Sequence, residues 1–451
     1  MMRVKRWRVA VTVCVIGLGL VFAANTAQAG VEDLLYEKGQ ITKEEWLKLK
    51  ADEEKKEAII QDRATIKRWF DKISIRGYLQ FRYTYLPGEK KLRNEYDSTI
   101  KDDTGFNFRR ARVIFSGDIT DWLSFYLQPE FATVVGGTTG DASNNFVQLR
   151  DAYTDIFLPV PLLGFAEKEL RLRAGLSKIP FGWETLQASQ QRIAFDRSDG
   201  INSAVNGERD LGLFIYYTPT ETRKLFRRLV DSGLKGSGDY GILGVGVYNG
   251  QTINVAERND NKHIVLHSTY PLELPYGQIV EFGVDAYRGS FNVGATNGTG
   301  LGLPAGVNPS VENKGNYLDE RVGVHFILYP QPIGFQAEWN WGHGPQLNGA
   351  RTAIVDGPIQ GGYVQAMYKW DYKWMTIMPY VRWQEYEGGK KHRTNAPFNV
   401  VREWEIGVEY QLAKALEFTI AYARSRRTDT LTAPYPIREG DIVRTQLQWN
   451  F

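Results

Sequence analysis

The chain has 451 residues, with 55 Lys and Arg against 52 Asp and Glu, 43% hydrophobic and 13% aromatic residues, 45 Gly and a single Cys. Near-balanced charge points away from nucleic-acid binding and from bulk anion attraction, and one cysteine leaves no disulfide framework or thiolate metal site. Beyond the first residues no apolar run approaches the roughly 18 residues that a membrane-spanning helix needs, so a membrane role would require a closed barrel.

Residues 1–29 open with Arg3, Lys5, Arg6 and Arg8, run apolar over 9–24 and end in Ala27-Gln28-Ala29. This pattern is that of a secretory signal peptide cleaved after Ala29. Cys14 follows Val13 inside the apolar run, which does not fit a lipid-attachment site. Removing the signal leaves 51 basic against 52 acidic residues, so any selectivity must come from where charges sit. Residues 30–72 are charge-rich and nearly free of Gly. The spacing predicts a helix from about Thr42, with Glu45 three residues on completing a capping box, and a shorter helical turn before Gly39. Ile59 and Ile66 are one heptad apart, and a solvated linker and an assembling helix both remain open.

From Ile73 the period switches to two. Over 73–86, Ile73, Ile75, Leu79, Phe81, Tyr83 and Tyr85 share one face and Arg76, Tyr78, Gln80, Arg82 and Thr84 the other, a lipid face and a water face. Further strands are expected at about 105–118, 122–135, 146–158, 169–178, 209–218, 238–249, 262–271, 278–289, 317–329, 332–342, 361–371, 374–387, 400–411, 415–427 and 441–451, making 16 in all. Odd-numbered connections are long (87–104, 136–145, 179–208, 250–261, 290–316, 343–360, 388–399, 428–440) and even-numbered ones mostly short, the parity of a membrane barrel with long outer loops. Two even connections break it, 159–168 and 219–237, and the second reads as a short basic helix over 222–230. Trp339, Trp341, Trp370, Trp374, Trp383, Trp404 and Trp449 fall where interfacial girdles are expected. Pro129 and Pro379, mid-strand, suggest bulges or shifted boundaries. In the last strand Val443, Thr445, Leu447, Trp449 and Phe451 alternate with Arg444, Gln446, Gln448 and Asn450, and the terminal Phe resembles the C-terminal signal of outer-membrane barrels, which makes the barrel-assembly machinery an expected partner.

The expected fold is therefore all-β, a 16-stranded antiparallel transmembrane β-barrel over 73–451 preceded by a short N-terminal periplasmic helical segment. Its water faces carry Arg76, Arg82, Arg110, Arg112, Arg171, Arg173, Arg382 and Arg444. Guanidinium groups in a narrow lumen with low-dielectric walls attract anions; the alternative is that they pair with lumen acids such as Glu130, Glu338, Glu385, Glu405 and Glu409. The loop 179–208 is long enough to be a surface lid or an inward-folded constriction, which Arg192, Arg197 and Arg209, with Trp183 and Phe195, would make cationic. Catalysis is not expected. Only five His occur, His263 and His267 lie roughly 13 Å apart along one strand, and the stretch 294–302 lacks the Gly-Lys-Ser/Thr of a phosphate cradle. No metal or cofactor is expected.

Residues 108–212 resemble the phosphate-selective porin family, porins O and P. The matching pieces are Arg109-Arg110-Ala111-Arg112 with 115–117, then Asp151-Ala152-Tyr153, Lys178-Ile179-Pro180-Phe181-Gly182, 195–198 and Arg209-Asp210-Leu211-Gly212. Leu34-Leu35, Gly39, Ile41-Thr42 and Glu44-Glu45 resemble that family's leader helix. The resemblance implies a homotrimeric porin of the bacterial outer membrane, bordered by lipid and lipopolysaccharide, its third outer loop folded inward. It implies passive diffusion of small anions, phosphate or related oxyanions, with the Arg109 to Arg112 cluster, Lys178 and the loop arginines near motif positions; together with the water-face reading, the expected anion-guiding residues are Arg76, Arg82, Arg110, Arg112, Arg171, Arg173 and Lys178. A general or sugar-type porin is the alternative, with Tyr78, Tyr126, Tyr380 and Tyr386 as a stacking track; the Glu-rich last strands favour it over strict phosphate specificity.

Overall fold

The computed structural model describes residues 31–88, 92, 105–132, 147–158, 165–296 and 298–451. The expected signal peptide and most of the first two long loops lie outside the described residues. The chain divides into two units between Asp71 and Lys72.

The first unit is a pair of helices, α1 (Val31–Glu37) and α2 (Lys43–Asp71). The capping box forms as expected: Thr42 N donates to Glu45 Oε2 at 2.8 Å and Glu45 N donates to Thr42 Oγ1 at 3.3 Å. These bonds hold the Glu45 carboxyl below the usual carboxylate range, so the cap is complete at neutral pH and fades as pH falls through that lowered value. Tyr36 stacks on Trp46, whose Nε1 donates to Asp33 at 2.8 Å, and this ties the two helices together. Leu47, Leu49 and Ile59 stay exposed on α2.

The second unit is a closed barrel of 16 strands: β1 (Ile73–Tyr85), β2 (Gly105–Thr120), β3 (Leu123–Glu130), β4 (Gln148–Phe157), β5 (Leu170–Lys178), β6 (Arg209–Tyr217), β7 (Leu243–Tyr248), β8 (His263–Glu273), β9 (Ile279–Asn292), β10 (Asn316–Leu328), β11 (Ile333–Leu347), β12 (Ile354–Tyr368), β13 (Met375–Gly389), β14 (Phe398–Ala413), β15 (Leu416–Thr428) and β16 (Ile437–Asn450). Each strand pairs antiparallel with its sequence neighbours, and β16 pairs with β1 from Tyr78↔Asn450 to Tyr85↔Val443, so no edge is left open. The period-two faces come out as read: Tyr78, Gln80, Arg82 and Thr84 are buried in the bore while Ile75 and Tyr85 are exposed outside. The long connections share one end, the outer end by the rule for such barrels, and the termini of the barrel share the inner end.

Several details differ from the sequence reading. Pro129 does sit at a bulge, where the β3–β4 register shifts. Pro379 does not: its pairing with β14 is regular, and its missing donor faces a lapse in the other ladder, between Met367↔Tyr380 and Trp370↔Ile377, where the three-residue piece Trp370–Tyr372 takes over from β12. The loop expected over 343–360 shrinks to 348–353, because Gly344, Pro345, Gly357 and Pro358 all lie within the paired β11–β12 hairpin. Strand β7 begins at Leu243, not 238. Glu385 is not a lumen acid; its parity puts it outside, paired with Arg402 at 2.8 Å. The basic helix is present as α3 (Thr220–Asp231). Trp383 and Trp404 face outward near the middle of β13 and β14, yet both lie about 9–11 residues from the inner end, the length that crosses the hydrocarbon, which places them at the outer interface.

A barrel has no core of its own, and here the loop 179–208 supplies one. Ile179, Phe181, Ala204 and Val205 pack on Phe214, Tyr216, Tyr248, Val265 and Tyr287 of β6–β9. Ile193, Ala194 and Phe195 pack on Met367, Met378, Tyr380 and Ala421 of β12, β13 and β15. The loop therefore crosses the bore with an apolar foot on each wall. Each fully buried large side chain contributes about 1.5–3 kcal/mol.

Candidate functional site in the bore

Between its apolar feet the loop is tied by charge. Arg382 of β13 forks onto Glu184 at 2.7 and 3.1 Å. Asp196 draws together three strands across the barrel's closing seam: it is 3.1 Å from Arg82 of β1, 3.2 Å from Arg109 of β2 and 2.8 Å from Arg444 of β16. At the loop's other end Glu208 lies 2.5 Å from Arg209, 3.1 Å from Arg197 and 3.7 Å from Lys178. Gly182 N donates to Asp285, which also bonds His267, and Arg321 of β10 donates to the carbonyls of Gly200 and Ser203.

These contacts sort the residues singled out from the sequence. Arg82 is fully buried and committed to Asp196, Gln446 and the Phe195 carbonyl. Arg112 is bound to Glu130 at 2.5 Å and to Tyr78. Arg171 is bound to Asp239, and Arg173 forks onto Asp155 at 2.7 and 2.8 Å. Arg209 is bound to Asp151 and Glu208. Lys178 donates to the carbonyls of Leu186 and Gln187, shaping the loop from below. Arg197 reaches Glu208 through one nitrogen, and its Nη1 has no partner among the described residues. Arg110 donates to Gln80 and lies 4.0 Å from Asp196. Arg76 is exposed over the Tyr126 ring.

Arg192 is the exception. The residue is 7% exposed, and its Nε, Nη1 and Nη2 have no hydrogen-bond partner among the described residues. Its electrostatic neighbours are Arg110, Lys178, Arg197 and Glu208, three cations and one already shared anion. No ion pair to Arg192 occurs among the described residues.

Two further arginines, Arg109 of the family motif and Arg150, were not expected on the water face, because bulges re-aim them. In β2 the register jumps from Gln80↔Arg110 to Phe81↔Phe108, so Arg109 is an extra residue and turns inward beside Arg110. In β4 it jumps from Gln128↔Asp151 to Pro129↔Leu149, leaving Arg150 extra, close to Arg112, Glu130, Glu208 and Arg209. Pro129 was the one available signal for the second bulge. Asp196 carried no signal in the sequence, and only the folded chain brings it to Arg82, Arg109 and Arg444 of β1, β2 and β16.

Below the loop lies a chamber of about 840 Å³ lined by Arg76, Arg112, Lys178, Arg209, Lys235 and Tyr240 among others. The tyrosines considered for a sugar track are used in the wall: Tyr126 stacks on Tyr153, Tyr380 donates to Glu405, and Tyr386 donates to the Gly389 carbonyl. Among the described residues no group of three or more His, Cys, Asp or Glu side chains is placed to hold a metal ion.

The family model described as phosphate-selective porin O and P matches residues 89–451, about four-fifths of the chain. The chain belongs to this family. Among solved structures the porin is similar to Salmonella typhi OmpF in complex with daunomycin, with 12% identity, 84% of this chain and 97% of that chain covered, and a TM-score of 0.50. Matches also include the outer membrane channel DcaP of Acinetobacter baumannii (14% identity, 84% and 97% covered, TM-score 0.49) and an anion-selective porin from Comamonas acidovorans (11%, 84% and 99%, 0.45). Among curated proteins none matches the chain. Family and barrel together make the protein an outer-membrane porin.

Proposed function

We propose that this porin passes small anions, phosphate and related oxyanions among them, by passive diffusion, and that Arg192 is their point of closest contact. The observation that carries the reading is the buried guanidinium with three unpartnered nitrogens. An uncompensated buried charge costs several kcal/mol, and a small movement of the side chain toward a passing oxyanion compensates it, since the planar fork offers parallel donors to two oxygens. Arg110 and Arg197 flank that point with cations that are at most partly neutralised. Arg76 and Lys178 act on the approach from the inner side. Arg82, Arg112, Arg171, Arg173 and Arg209 are read as fixed wall charges that hold loop and strands in place.

In a planar bilayer with a KCl gradient the expected reversal potential is that of an anion-selective channel, and phosphate added at low concentration reduces the chloride current. Arg192→Gln is expected to lower the anion-to-cation permeability ratio by roughly fivefold, about 1 kcal/mol, and to abolish phosphate block. An unchanged ratio would remove Arg192 from the path. The pairing of Arg112, Arg173 and Arg209 with carboxylates favours the second reading, a general pore, which weak selectivity without block would select.

The resemblance to the family is the ground for reading the protein as a homotrimer set in lipid and lipopolysaccharide, exported by a cleaved signal peptide and assembled through the strand ending in Phe451. Cross-linking after mild extraction is expected to give a species of three 51.3 kDa chains less their signal peptides; a monomer alone would refute the trimer.

A further inference from the structure

The inner-end connection between β6 and β7, residues 218–242, is far longer than a turn requires. It opens with α3, whose Phe226 and Leu229 are buried against Trp183, Ile279, Ile327 and Tyr329. After Asp231 the chain enters the bore before returning to β7. Lys235 is 2% exposed; its Nζ lies 2.5 Å from Glu409 Oε1 on β14 and 4.0 Å from Glu417 Oε2 on β15. Its carbonyl accepts from Gln187 Nε2 of the long loop at 2.6 Å. The returning limb is held by Asp239, which accepts from Arg171, Thr218 and Arg223.

Strands β6 and β7 stand opposite β14 and β15 in a ring of 16, eight strands away in either direction. A segment rooted in the first pair and ion-paired to the second therefore reaches across the full bore. The long loop crosses from the outer side and this strap from the inner side. The two meet at the Gln187–Lys235 bond and enclose the 840 Å³ chamber between them.

We infer that residues 232–240 form a second constriction of the pore, on the inner side, and that the Lys235–Glu409 pair sets how much of the bore it closes. The inference rests on the reading of the chain as an anion pore. A solute that has passed Arg192 meets the strap next, where Lys235 is neutralised by two carboxylates. The strap thus limits flow without adding anion attraction, and the two constrictions act in series.

The test uses the full chain in planar bilayers. Lys235→Met combined with Glu409→Gln removes the close pair together, so neither partner is left as a lone buried charge, and Glu417 keeps the bond it accepts from Asn450. Its single-channel conductance is expected to rise roughly twofold or more with little change in selectivity. A second variant, Ser237→Cys in a Cys14→Ser background, places the only thiol on the strap, where Ser237 lines the chamber. Methanethiosulfonate reagents of either charge, added from the inner side, are expected to lower the current in steps that dithiothreitol reverses. Unchanged conductance in the double variant, or an unchanged current on thiol modification, overturns the second constriction while the pore reading stands. If the unsubstituted protein forms no channels, the pore reading falls and this inference with it.

Discussion

Gly200→Val is expected to lift the long loop from the far wall and raise single-channel conductance severalfold. Gly200 lies in the short turn Asp199–Asn202, pressed against β12. A Cβ there would sit 2.5 Å from the carbonyl carbon of Gly361 and 2.5 Å from the nitrogen of Gly362. Both are backbone atoms of a strand paired on both sides, to β11 and to β13, and so neither can retreat. The loop must move instead, and with it go the bonds from Arg321 and Asn340 to the Gly200 carbonyl at 3.3 and 3.0 Å. Overpacking of this kind costs about 1–3 kcal/mol, enough to populate an open arrangement in a loop that docks as a unit. Arg192 would move with the loop, so selectivity should fall as conductance rises. A Gly200→Val channel that conducts and selects like the unsubstituted one would show that the loop does not limit the pore.

The second large effect is expected from Asp196→Asn. This carboxylate lies within 4.0 Å of four guanidinium groups, those of Arg82, Arg109, Arg110 and Arg444, of which Arg82 and Arg444 are almost wholly buried. Asparagine keeps the shape and removes the charge, leaving cations from β1, β2 and β16 facing one another. Breaking a buried pair by removing one partner costs about 3–5 kcal/mol. The loss falls on the seam where the barrel closes. The expected result is a clear drop in the temperature at which the folded barrel converts to the unfolded form, read by its heat-modifiable mobility on gels. Because the guanidinium groups that lose this carboxylate favour any oxyanion, millimolar phosphate or sulfate should restore part of the lost stability, and chloride much less. A melting temperature that does not shift would mean that Arg444–Glu405, at 2.7 Å, and the Arg82–Gln446 bonds carry the seam without Asp196.

Local chemistry accounts for what could be read before any coordinates. The period of two in 73–86, the long and short connections in alternation, Thr42 with Glu45, and the basic helix all depend on residues within a few positions of one another. Such patterns follow from strand pleat, turn length and cap geometry, and each appears in the folded chain close to where it was expected. The order of motifs from Arg109 to Gly212 pointed to the family for the same reason, since motifs survive as short strings. Boundaries slipped where Gly and Pro lie inside a hairpin, at 344–345 and 357–358, because paired strands beyond the membrane tolerate residues that usually end a strand.

Sequence alone thus determined a 16-stranded barrel with a long third loop and an arginine-rich interior, and no more about which arginines are free. That was decided by tertiary structure, because each neutralising partner is remote: Arg444 meets Asp196 248 residues away, Arg382 meets Glu184 across 198, and Lys235 meets Glu409 across 174. The bulge that turns Arg109 inward depends on the register of neighbouring strands, which no local pattern records, and the one that turns Arg150 inward is marked only by Pro129 on the strand opposite. The strap of 232–240 has no periodicity at all. Charge at a point in the bore is the sum over residues brought together by closing the ring, and only the closed ring reveals that Arg192 has no partner among the described residues.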